Sequence, residues 1–181
     1  MSVTAFTDHT PQSAPQGARR IMEATTRQLG FLPAAMARLA GSPELLEAFH
    51  RMSALFETTS LEPLARETVI LTVAVRNECH VCVAMHTRKL QALGADEELT
   101  RALRAQSPLP DERLEAVRVF TCEVLDRSGD VGEERLNAFL AQGHTSQQAL
   151  EVVLGIGVYT LSTLANKLTG APVDPGLVPF A

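Results

Sequence analysis

The stretch that most limits what this 181-residue chain can fold into is EPLARETVILTVAVR, residues 62–76. Val69, Ile70, Leu71, Val73, Ala74 and Val75 put apolar side chains on every side of it, so it has to be buried. Its β-branched residues would also suit a strand. The length of the run decides for a helix, as does Pro63 at its start, where a missing N–H costs a helix nothing. Asn77 suits a left-handed cap at its end.

A buried helix needs others around it, and the remaining sequence reads as helices separated by Gly, Pro and capping residues. Helices are expected over 16–29, closed by Gly30, and over a brief piece ending at Leu39. Ser42 caps a helix over 43–56 that opens with Pro43. After the buried run come helices over 79–93, 96–105, 111–127, 133–141 and 147–168, the last capped by Thr145 or Ser146. Residues 1–16 read as an irregular arm and 17–181 as a single domain. The Pro-rich tail, 171–181, is expected to be extended. No segment reads as a strand, and the fold class is all-α.

Composition agrees with this. Aromatic residues make up only 4% of the chain, with no Trp, whereas Ala and Leu supply most of the apolar content. The net charge of −5 is dispersed and no basic cluster is interleaved with aromatics, which argues against nucleic-acid binding. The N-terminus lacks the pattern of a secretory signal, and the longest apolar run, around 152–161, is too short to cross a bilayer. The cytoplasm is the expected location, where three cysteines do not form a disulfide framework. Gly155 and Gly157 lie within a helical pattern with no strand before them, so close helix packing explains them better than a dinucleotide site.

Chemistry concentrates in residues 67–94, ETVILTVAVRNECHVCVAMHTRKLQALG. Cys79 and Cys82 form a C-x-x-C where a helix begins, and the unpaired N–H groups there stabilise a thiolate. Two intervening residues let both sulfurs meet across one turn, so one can attack an oxidant and the other resolve it. His86 lies four residues after Cys82 on the same helical face. Glu67 is a carboxylate in an apolar helix, costly unless paired. If the chain reverses near Asn77, Glu67 returns to the level of His86. Burial is then expected to raise its pKa and suit it to accept a proton. The relay so drawn runs from Glu67 through His86 to Cys82, with Cys79 resolving. Cys79, Cys82, His86 and His80 could supply four zinc ligands, but there is no second C-x-x-C and His80 should point elsewhere. Cys122 reads as an inert buried thiol, and His9, His50 and His144 have no evident partners.

Glu67, the apolar 71–75, Asn77, Cys79, Cys82, His86 and Gly94 resemble the motif of the AhpD-like alkylhydroperoxidases in the carboxymuconolactone decarboxylase superfamily. Phe31-Leu32-Pro33 with Ser42-Pro43, and Asn166-Lys167-Leu168 with Val173-Asp174-Pro175, are similar to the two ends of peroxidase-related members. The resemblance implies an AhpD-like helical domain with the C-x-x-C at the start of a central helix. It also implies assembly into a homo-oligomer, as dimers, trimers or hexamers, with neither metal nor organic cofactor. The activity implied is reduction of organic hydroperoxides or hydrogen peroxide. Cys82 is then the attacking sulfur, Cys79 the resolving one, Glu67 the base and His86 the relay. A small-molecule or protein dithiol would restore the reduced pair. Val81 departs from the family, which often carries His or Tyr just before the second Cys. The alternatives are a thiol–disulfide oxidoreductase or redox sensor using the same residues, or a lactone decarboxylase that does not need them.

Overall fold

The computed structural model describes residues 5–181; the first four residues of the expected arm lie outside that range. Nine α-helices follow an irregular segment, 5–15, and the described residues contain no strand. They are α1 Gln16–Leu29, α2 Ala34–Leu39, α3 Pro43–Glu57, α4 Pro63–Arg76, α5 His80–Ala92, α6 Glu97–Arg104, α7 Glu112–Asp126, α8 Gly132–Ala141 and α9 Ser146–Thr169.

Helix α4 is the expected buried helix. It packs against α5, α7 and α9, and Val69, Ile70, Leu71, Val73 and Ala74 are all inaccessible to solvent. Its apolar surround is thus used on every side, a pattern that only a central helix can satisfy. The caps are those the sequence signals. Ser42 Oγ accepts from Leu45 N at 3.3 Å, and Asp96 and Asp111 cap α6 and α7 in the same way. Thr145 and Gln148 form a reciprocal capping box on α9.

Gly155 lets α9 close onto the core. A Cβ there would stand 2.6 Å from Phe56 Cζ and 2.9 Å from a Val69 methyl. Gly157 does no such work: open space surrounds the place its Cβ would occupy, so close packing accounts for one glycine of the pair.

Four other expectations are corrected. Asn77 keeps φ at −84°, and Glu78 takes the left-handed turn instead, at φ 52°. The Asn77 amide is occupied elsewhere, donating to Thr163 Oγ1 at 2.8 Å. The tail is not extended: Pro175–Phe180 winds into a 3₁₀ turn against α5 and buries Leu177. Proline's fixed φ suits such a turn as well as it suits an extended chain. His144, which has no partner in the sequence pattern, is buried, stacked on Phe139 at 4.3 Å, and bonded to the Arg113 carbonyl at 3.0 Å. Finally, α9 at 24 residues is long and apolar enough to cross a membrane, although half of its most apolar window is buried within the protein.

Candidate active site

The turn at Asn77–Glu78 sends α5 back along α4 and leaves Cys79 as the N-cap residue of α5. Both cysteines are buried, and their sulfurs stand 2.9 Å apart. The pair shares one proton unequally. The Cys82 thiol donates to Cys79, and the Cys82 and Val81 backbone N–H groups and the Asn166 amide add to that stabilisation. Together they outweigh burial and bring the Cys79 thiol down to about 6. Cys82 is pushed up, first because it supplies that hydrogen bond and then by burial. The resting charge of the dithiol therefore sits on Cys79.

Glu67 and His86 meet as the antiparallel packing requires, Glu67 Oε2 lying 2.7 Å from His86 Nδ1. A third group, absent from the sequence reading, joins them: Lys89 Nζ is 2.9 Å from Glu67 Oε1 and also reaches Glu57. Lys89 follows His86 by one turn, so the spacing contains this contact, but a lysine near a helix end reads as a solvated charge. The expected rise in the Glu67 pKa does not occur. Burial does push it up, but His86 and Lys89, by charge and by hydrogen bond, overcome that and hold it below the usual carboxylate range. Glu67 is thus an ionised, paired carboxylate rather than a proton-holding one.

The relay is joined at one end only. His86 bonds to Glu67 and its ring meets Tyr159 edge-on at 5.2 Å, while no hydrogen bond connects it to either sulfur. The side chains that do reach the sulfurs come from α9. Asn166 Nδ2 stands 3.3 Å from Cys82 Sγ and 4.0 Å from Cys79 Sγ, and Ser162 Oγ stands 4.0 Å from Cys82 Sγ. Asn166 is buried, and its Oδ1 has no partner. A buried carbonyl oxygen left free beside a reactive thiol is an acceptor available to a ligand that brings a donor.

Cys79 opens on a cleft of about 580 Å³ whose lining also includes Glu78, His80, Asn166 and Lys167. His80 is exposed and lines this cleft with Cys79, and no group of three His, Cys, Asp or Glu residues suited to a metal occurs among the described residues. Cys122 is half-buried rather than buried, and its remaining burial pushes its thiol up.

The family model described as the carboxymuconolactone decarboxylase family matches residues 43–118, which contain α4, α5 and the dithiol. No curated protein matches the sequence. Among solved structures, an uncharacterised peroxidase-related protein with the alkylhydroperoxidase AhpD core, from Ralstonia eutropha JMP134, is similar at TM-score 0.84 and 20% identity, over 95% of this chain and 93% of that one. A peroxidase-related protein from Silicibacter sp. TM1040 is similar at TM-score 0.77 and 20% identity, over 90% and 87%. The debrominase Bmp8 also has a TM-score of 0.77, at 14% identity, over 98% and 96%. The chain thus has the AhpD-like helical fold, and its residues 43–118 match the carboxymuconolactone decarboxylase family.

Proposed function

We propose that the protein is a cysteine-based peroxidase that reduces organic hydroperoxides or hydrogen peroxide through a Cys79/Cys82 dithiol–disulfide cycle. The observation that carries this reading is the buried sulfur pair at the start of α5, with Cys79 lowered to about 6 and facing the cleft. A thiolate already formed at neutral pH is the nucleophile such a reaction needs.

The order of events follows from where the proton sits. Cys79 as thiolate attacks the terminal oxygen of ROOH, forming the S–O bond of a sulfenic acid as the O–O bond breaks. The departing alkoxide takes the proton of the neighbouring Cys82 thiol and leaves as ROH. Cys82, now a thiolate steadied by the Asn166 amide, attacks the Cys79 sulfur and expels hydroxide, which gains a proton to become water. His86, oriented by Glu67, is the group we assign to that last proton delivery. An external dithiol, small molecule or protein, then reduces the disulfide by exchange. This order exchanges the two sulfurs' roles relative to those the family resemblance implies. The charge on Cys79 and its place on the cleft favour the exchange.

The similarity to a debrominase over nearly the whole of both chains supports a second reading, in which the same two-electron dithiol reduces a carbon–halogen bond. One experiment separates the readings. Reduced protein is mixed with an organic hydroperoxide, and Cys79–Cys82 disulfide formation is followed by mass spectrometry. A rate far above that of a free thiol supports the peroxidase. A rate equal to a free thiol's removes it and leaves disulfide exchange, redox sensing or dehalogenation.

A further inference from the structure

The sulfur that faces the cleft is reached only by a slim approach. Cys79 is 2% exposed, although the cleft in front of it measures about 580 Å³. The hydrocarbon side chains on that cleft are Val81 and Ala171, and Glu78, His80, Asn166 and Lys167 supply most of the rest. Clefts elsewhere on the molecule border Phe139, Phe180, Leu64 or Leu45. A long acyl chain or an aryl ring leaves water by burying apolar surface, and this cleft gives it little to bury against. An anionic group fares no better. Lys167 Nζ already stands 3.5 Å from Glu78 Oε2, and a second negative charge would meet the Cys79 thiolate.

Asn166 adds a specific polar feature. It is 5% exposed, and its Nδ2 donates to Cys82 Sγ at 3.3 Å while its Oδ1 has no partner. A buried amide oxygen without a donor is costly, so its place beside the sulfurs suits a ligand that brings an O–H. The residue lines the cleft, and χ2 of an asparagine is a broad torsion. A small turn therefore presents Oδ1 to an arriving molecule.

We propose that the site selects small uncharged hydroperoxides, hydrogen peroxide before any other, and that Asn166 Oδ1 accepts the O–H of the oxygen under attack. This rests on the reading of the protein as a cysteine peroxidase. The Cys79 sulfur gives an electron pair to that oxygen, forming S–O as O–O breaks. The pair of the broken bond leaves on the far oxygen, which takes the Cys82 proton and departs as water or ROH. The hydrogen held by Asn166 is not transferred; it stays on the attacked oxygen, now part of the Cys79 sulfenic acid. The sulfur is oxidised by two electrons and the peroxide is reduced by two. One amide thus serves both steps, with Nδ2 on the resolving sulfur and Oδ1 on the oxygen that sulfur will displace. Its contribution is orientation of the attacked oxygen.

The test uses the reduced full-length chain and the rate of Cys79–Cys82 disulfide formation with hydrogen peroxide, tert-butyl hydroperoxide and cumene hydroperoxide. Each rate is divided by that of free cysteine with the same peroxide. The quotient is expected to fall along that series, by about tenfold in all. A quotient that stays level or rises toward cumene hydroperoxide overturns the selection. Quotients near one for all three peroxides remove the peroxidase reading itself, and this inference with it. Asn166→Leu is then compared with wild type at about pH 9, where Cys79 is ionised in both. Its rate with hydrogen peroxide should drop about tenfold more than its rate with methyl methanethiosulfonate, a small thiol reagent without O–H or N–H. Equal losses with the two reagents would show that Asn166 acts on the sulfurs alone, and would overturn its contact with the peroxide. Should Asn166→Leu not fold, Asn166→Ala is read in the same way.

Discussion

Asn166 Nδ2 lies 3.3 Å from Cys82 Sγ, so the dithiol of α5 is held from the side by α9, 84 residues away in sequence. This contact links the reactive pair to the longest helix of the fold. The oxygen of the same amide is left without a partner. A hydrogen bond to a charged acceptor contributes about 1.5–3 kcal/mol, and one pKa unit is about 1.4 kcal/mol. Asn166→Leu is therefore expected to raise the first thiol pKa of the pair from near 6 by about one unit. Thiolate absorbance at 240 nm, titrated from pH 4 to 10, reads this directly. An unmoved midpoint would leave Asn166 as packing only.

How much of this was legible beforehand follows from sequence separation. Glu67, Cys79, Cys82 and His86 lie within twenty residues on two helices joined by a tight turn, so helical spacing and one chain reversal suffice to bring Glu67 to His86. Asn166 and Ser162 answer to no local periodicity that points at a sulfur; only the packing of α9 on α4 and α5 brings them there. Lys89 was within local reach, and its long side chain concealed that a partly buried ammonium can neutralise a buried carboxylate. The tail was misread because proline content reports φ, which the 3₁₀ turn and the extended chain share.

The Glu67 carboxylate makes a definite statement about acid stability. Its pKa in the folded protein is below the unfolded 4.5, so its contribution is complete above about pH 4.5 and is lost as pH falls through the lower folded value. Glu67→Gln leaves His86 and Lys89 facing a neutral amide and should cost about 3 kcal/mol at pH 7, the low end for removing one partner of a buried pair because Lys89 is partly exposed. The variant should then lose less stability than wild type between pH 5 and pH 3. Urea titrations at both pH values check the difference, and parallel losses would show that Glu67 is not the ionised partner described.

Gly155 is tightly enclosed and Gly157 is open. Gly155→Ala drives a methyl into the Phe56 ring and Val69, an overpacking expected to cost about 1–3 kcal/mol. Gly157→Ala meets no atom of its own chain and should gain up to about 1 kcal/mol of helix propensity. Denaturant midpoints of the two variants should move in opposite directions. A neutral Gly155→Ala would mean that α9 can shift outward on α4.

The order of attack is settled by asking which single cysteine can stop half-way. With the resting charge on Cys79, Cys82→Ser retains a sulfur that the backbone N–H groups of α5 still stabilise, although it loses the thiol that donated to it. It should react with one equivalent of hydroperoxide and stop at a Cys79 sulfenic acid, trapped by dimedone. Its thiol pKa should rise above the wild-type value of about 6, because the first and largest stabilising hydrogen bond is gone. Cys79→Ser leaves Cys82 buried, with its ionisation opposed by that burial and helped only by Asn166 and Ser162, and should react at least tenfold more slowly near pH 7. The reverse pattern, a fast Cys79→Ser variant with dimedone on Cys82, would restore the roles that the family resemblance implies. It would mean that Cys79 serves in the resting pair as the proton acceptor that activates its neighbour.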